Sequence, residues 1–347
     1  MASGIQSFSM RAPDDVQEIG QVLRRLAGAA PRRIAIIGKV EGTATANDFS
    51  RSLALRAITD ELRAAGMDPA RAQIILSTGC EGVISPGGYV FASFGDGTQG
   101  LRVGVGRSAE IAPADLLDQP HLDAARSAVG AALADCGLTP DDSLLVFMKS
   151  PLLMHREAAN LPEAQARWAN VSAAARGVAA LGLGAALREI DPKDAVIGNL
   201  LVRDDLFCQR GMVFSGTETR ACEAIVIGHS AGAAGPRLRS GPVANLVDIA
   251  GMAAIVSGDP LGGVDAALAS RGRIAAAFFK AGVRRDGDLF GRRTTVFSSD
   301  LDPDKHMRAA ASGVLAALMQ DCRMFVSGGC EHQAPDGGGL FAVISDN

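Results

Sequence analysis

Three lysines, three serines and three arginines recur at matching places in this chain, and together they could perform nucleophilic chemistry. Lysine is scarce: Lys39, Lys149, Lys193, Lys280 and Lys305 are the only five among 34 basic residues. Three of them close the same kind of segment, an apolar strand-like run: Arg33–Lys39 (RIAIIGK), Ser143–Lys149 (SLLVFMK) and Ile274–Lys280 (IAAAFFK). Lysine is rarely buried without a partner. Desolvated near another positive charge, its pKa falls toward neutrality, and it can then act as a general base on a serine. The serines follow apolar runs too. Ile74–Gly88 reads IILSTGCEGVISPGG and Met324–Gly339 reads MFVSGGCEHQAPDGGG, placing Ser77 and Ser327 alike. A weaker third copy, Ala224–Gly235 (AIVIGHSAGAAG), supplies Ser230. In each Ser-x-Gly turn the glycine admits close backbone approach, and the N–H groups after the serine can form an oxyanion hole. Arg51, Arg176 and Arg308 lie between each lysine and its serine, suited to clamping carbonyl or anionic groups. Threefold repetition implies a ligand that presents one kind of group three times, and the repeats alone leave open which Ser–Lys pair reacts.

The elements that must hold these residues follow from periodicity. Helical spacing runs over Ser50–Gly66, Val171–Ile190 and Asp304–Asp321, with Asp304 as an N-cap. Second strands are expected at Tyr89–Phe94 and Leu340–Ser345. Each unit is thus strand–Lys, helix with Arg, strand–Ser, an α/β pattern. Lys-to-Ser spacings of 38, 81 and 47 residues put an insertion in the middle unit, within Asp191–Thr219, with Ala195–Val202 as an extra strand. Boundaries in Gly104–Pro120 and Ser240–Gly263 divide the chain into units 1–105, 112–245 and 252–347.

Composition narrows the field. The 347 residues are 48% hydrophobic and 21% charged with a net charge of −4, which favours a packed globular protein without a strong pull toward nucleic acid or anionic membrane. No apolar run is long enough to span a bilayer, Met1–Arg11 lacks the layout of a secretory signal, and six scattered cysteines make no disulfide scaffold. A cytoplasmic protein with reduced thiols is expected. Gly228–Gly232 (GHSAG) matches a nucleophile elbow, but two prolines and two glycines follow where a helix should start. Gly95–Gly100 (GDGTQG) likewise lacks the helix of a dinucleotide site. The five histidines lack metal-ligand spacing. A serine esterase built on GHSAG and a non-catalytic small-molecule binder are the rival readings.

With these residues in place the chain resembles the ring-opening amidohydrolases, the family of cyanuric acid hydrolase and barbiturase. Ser327–Gly339 (SGGCEHQAPDGGG), Asn47–Arg51 (NDFSR), Lys149–Leu153 (KSPLL) and Gly291–Thr295 (GRRTT) carry the resemblance, which covers essentially the whole chain. It implies three related α/β units about a pseudo-threefold axis, with the active site at the centre. It implies hydrolytic opening of a small cyclic imide or ureide: cyanuric acid to carboxybiuret and then biuret and CO2, or barbiturate as the alternative. It implies Ser230 as nucleophile and Lys149 as base. Lys39, Arg51, Ser77, Arg176, Lys280, Arg308 and Ser327, with the N–H groups of Thr78, Ala231 and Gly328, would bind substrate. No cofactor is implied for catalysis. A structural Mg or Ca ion is implied near Glu331, Gln333, Pro335 and Gly338, although Lys280 is followed by Ala281, Gly282 and Val283 where the family often has an acidic residue. Asp336 also stands where Pro-Gly is more usual. The resemblance further implies a homotetramer.

Overall fold

The computed structural model describes residues 4–43, 48–94, 100–160, 172–229 and 234–346. Its strands form three four-stranded sheets, and every sheet has the same order. In the first, β1 (Gly4–Ser9), α1 (Gln17–Ala27), β2 (Arg33–Val40), α2 (Ser50–Ala64), β3 (Ala72–Thr78) and β4 (Gly87–Ser93) give the order β1-β4-β2-β3. In the second, β5 (Arg102–Arg107), α3 (Gln119–Cys136), β6 (Ser143–Pro151), a one-turn α4 (His155–Ala158), α5 (Ser172–Ala186), β7 (Gly211–Gly216) and β8 (Glu223–His229) give β5-β8-β6-β7. The third has β9 (Arg237–Val243), α6 (Ile249–Ser257), α7 (Val264–Ser270), β10 (Ile274–Ala281), a small hairpin of β11 (Asp288–Leu289) and β12 (Arg292–Arg293), α8 (Pro303–Met319), β13 (Phe325–Gly328) and β14 (Gly339–Ser345). Its order is β9-β14-β10-β13. Only the second-to-third strand pairing is parallel in each sheet.

Both faces of each sheet are buried, which is why the lysine-bearing strands read as unbroken apolar runs. Successive side chains on a strand point to opposite faces. Ala35 and Ile37, Leu145 and Phe147, and Ala276 and Phe278 all join one core shared by the three sheets. Their neighbours on the other face meet that unit's helices: Ile34 and Ile36, Val146 and Met148, Ala277 and Phe279. At the centre Phe278 packs against Tyr89, Phe91, Phe147 and Phe325 with ring centroids 4.8–6.2 Å apart. No described helix is long and apolar enough to cross a membrane, and the apolar α5 is buried among its own unit's elements.

Three expectations need correction. β5 and β9 each pair with the fourth strand of the sheet that follows them in the chain, so the units are better bounded near 94–101 and 230–236 than at 105 and 245. Ala195–Val202 forms turns and a short 3-10 helix at Ile197–Asn199, not a strand. Asp302, not Asp304, caps α8: its carboxylate accepts from the Asp304 N–H at 3.0 Å.

Candidate active site

The period-2 alternation that places Ile37, Phe147 and Phe278 in the central core also turns Lys39, Lys149 and Lys280 toward it. All three lysines are 1–2% exposed. Each reaches a third strand. Lys39 donates to Ser77 Oγ at 3.2 Å and to the Thr78 carbonyl at 2.9 Å, and lies 5.6 Å from the Phe325 ring centroid. Lys280 donates to the Gly328 carbonyl at 2.7 Å and lies 4.8 Å from the Phe214 ring centroid. Lys149 donates to the Leu76 carbonyl at 3.1 Å and pairs with Glu218 at 2.5 Å. Each lysine therefore touches the third strand of another unit, and the three units converge there.

Register identifies the true repeat. Lys39 pairs with Ser77 and Lys280 with Ser327 across the parallel strands. The partner of Lys149 is Phe214. Two residues after each of these comes a glycine (Gly79, Gly216, Gly329), and two residues later a glutamate (Glu81, Glu218, Glu331). A Cβ at each glycine would fall within 2.9 Å of an ionic side chain: Glu81 or Arg308, Glu218, or Arg176. The glutamates accept the three arginines in a ring. Arg51 pairs with Glu218 at 3.2 Å, Arg176 with Glu331 at 2.7 Å and Arg308 with Glu81 at 2.6 Å, each pair joining two units. Arg176 and Arg308 hold both oxygens of their partners. Arg51 also donates to Thr78 Oγ1 at 3.2 Å.

The third copy of the serine motif is thus Met212–Glu218 and not Ala224–Gly235, and Phe214 stands in the serine's place. Ser230 and Ala231 lie outside the described residues. The residue before them, His229, pairs with Ser143, whereas Lys149 pairs with Glu223 at the far end of β6. Six residues of strand, about 20 Å, separate those two pairings. The strand position that faces Lys149 is therefore Phe214, and Ser230, expected there, is not among the described residues. The elbow reading of GHSAG finds no support either, because among the described residues the element after β8 is another strand, β9, and not a helix. Glu81, Glu218 and Phe214 were not singled out from sequence, although the shared Gly-x-Glu spacing was there to be read.

Burial dominates the electrostatics. It pulls Lys39 down to about 7, with the positive charges of Arg308 and Lys280 acting in the same direction. It lowers Lys280 to about 8. Burial also lowers Lys149 to about 8 against the opposing charge of Glu218. Burial raises the carboxyl of Glu218, but Lys149 and Arg51 more than offset this, so it titrates below the ordinary range. A charged pair at Lys149–Glu218 follows.

The residues expected to hold a cation are otherwise engaged. Glu331, their one carboxylate, gives both oxygens to Arg176. Gln333 Oε1 accepts from the Val213 N–H at 2.6 Å, stitching the last loop to β7. The Pro335 carbonyl accepts from the Gly338 N–H, and the Gly338 carbonyl from the Gly282 N–H, both at 2.9 Å. Among the described residues no group of three His, Cys, Asp or Glu side chains is placed to hold a metal. This donor set does not fit a hard divalent cation, which favours several oxygen ligands with negative charge among them.

Comparison with known proteins agrees with the threefold architecture. Residues 4–346 match the family model described as amidohydrolase ring-opening protein. The chain is 34% identical to a cyanuric acid amidohydrolase of a Rhodococcus species, across 99% of this chain and 96% of that protein. It is 31% identical to a cyclic amide hydrolase of Azorhizobium caulinodans, covering 99% of each. The crystal structure of cyanuric acid hydrolase from A. caulinodans superposes with a TM-score of 0.86 at 30% identity, covering 100% of this chain and 99% of that one. A second cyanuric acid hydrolase structure, described as an innovation by structural concatenation, gives a TM-score of 0.87 at 27% identity over 100% and 99% of the two chains.

Proposed function

Because the chain belongs to the ring-opening amidohydrolases, we propose that it hydrolyses a C–N bond of a small cyclic amide with Ser77 Oγ as nucleophile and Lys39 Nζ as base. One observation carries the assignment: the 3.2 Å hydrogen bond between Lys39 and Ser77, in surroundings that bring the lysine to about 7. Among the described residues this is the one Lys–Ser hydrogen bond at the three repeat positions. Near neutrality a large share of Lys39 is uncharged, and its lone pair can take the hydroxyl proton. Ser77 Oγ then attacks a ring carbonyl, and backbone N–H groups and the nearby arginines stabilise the oxyanion. The C–N bond breaks, and Lys39 returns its proton to the leaving nitrogen. Water, deprotonated by Lys39 in turn, releases the acyl group and frees Ser77.

The relatives' names make cyanuric acid the first substrate to test, with carboxybiuret and then biuret and CO2 as products, and barbiturate the second. Loss of ultraviolet absorbance on incubation with purified protein reads ring opening directly. Ser77→Ala is expected to abolish turnover, and Ser327→Ala to keep it within about tenfold of the unaltered chain, since one acyl-enzyme serine suffices. Unchanged kcat in Ser77→Ala would sink the nucleophile assignment. If the unaltered protein opens no ring at all, a small-molecule binder with threefold-related contacts becomes the better reading.

A further inference from the structure

Phe214 breaks the threefold symmetry of the site, and we propose that it makes this chain selective for rings with two polar edges and one carbon edge. The proposal rests on the ring-opening reading above. At the positions cross-strand from the buried lysines, the first and third units present hydroxyls (Ser77, Ser327), and the middle unit presents a phenyl. All three side chains are buried to a similar degree, at 8%, 6% and 4% exposure. Phe214 is also fixed in place. Its ring stacks edge-on against Phe325 with centroids 5.3 Å apart, and Lys280 sits over it at 4.8 Å. The middle unit's lysine is committed elsewhere, since Lys149 is tied to Glu218 and to the Leu76 carbonyl.

A ring with three identical carbonyl edges would meet hydroxyl or backbone donors on two sides and a phenyl on the third. A carbonyl oxygen pressed against that phenyl gives up water and gains no donor, which is unfavourable. A methylene or alkyl-bearing carbon loses nothing there and gains apolar contact. The chemical class that fits is a cyclic imide or ureide whose third edge is carbon.

The test compares kcat/KM, and ligand-induced shifts in melting temperature, for cyanuric acid, barbituric acid and 5-methylbarbituric acid. The unaltered chain should favour the carbon-edged rings by at least about tenfold, the size expected when one buried acceptor lacks its partner. Phe214→Ser should reduce that ratio by about tenfold or more, and Phe214→Leu should keep it. Equal rates on all three rings, or a ratio unmoved by Phe214→Ser, would overturn the proposal. If Phe214→Ser does not fold, the ratios in the unaltered chain and in Phe214→Leu decide: preference in both supports it, parity in either overturns it. Ring opening without preference defeats this inference and leaves the function standing. Ranked melting shifts without ring opening do the reverse, and a chain that neither opens nor binds any of the rings defeats both.

Discussion

At the scale of single residues, the chemistry depends on how far burial discharges a lysine. Lys39 near 7 is poised to exchange a proton with Ser77, whereas Lys149, near 8, is ion-paired with Glu218 and faces no serine across the sheet. Activity should therefore rise as pH increases through about 7, because the neutral amine is the reactive form. A pH–rate profile of kcat/KM checks this, and a flat profile between pH 6 and 8 would contradict it. Lys39→Arg should be inactive across the whole range, since a guanidinium stays protonated.

At the scale of elements, a strand–turn of Ser or Phe, then x-Gly-x-Glu, positions both the reactive position and the anchor for a neighbouring unit's arginine. Gly329 sits at φ +76°, and a Cβ there would lie 2.3 Å from Arg176 Nη2. Gly329→Ala should cost about 1–3 kcal/mol in urea unfolding through backbone strain and displacement of that guanidinium. Gly313 gives the opposite sign. It lies in α8 with nothing within 4 Å of an added Cβ. Gly313→Ala should add about 0.5–1 kcal/mol by the same measurement, because alanine has less backbone entropy to lose in a helix. The sequence displayed the Gly-x-Glu spacing three times. The serine was less dependable as a marker, since one copy carries phenylalanine at that position while another serine follows the next strand in the sequence.

At the scale of the whole molecule, the three sheets share one core and a ring of intersubsheet ion pairs, so the units should unfold together. Phe278 contacts aromatic rings from two other units. Phe278→Ala should lower stability by about 3–5 kcal/mol while keeping a single transition in calorimetry. A separate transition for the third unit would argue against the shared core. The buried lysines also link stability to pH. Unfolded lysine keeps its proton to about 10.5, whereas the folded sites release theirs near 7 to 8. Between pH 7 and 8.5 the unfolded chain binds more protons, so these groups make stability rise with pH. Above the ordinary thiol value of 9, the buried cysteines oppose the trend, since burial raises their folded pKa.

The sequence by itself determined the strands that end in lysine, the helices that carry arginine and the threefold plan, because periodicity and repeated spacing are local properties of the chain. It could not decide which residue faces which lysine. That is set by strand register, and register depends on partners 38 to 65 positions away. Only the folded sheets placed Phe214 opposite Lys149, carried His229 to the far end of the same strand, and closed the arginine–glutamate ring across units. The reason is physical: a side chain's face is dictated by its own strand, but its neighbour is dictated by how that strand is paired.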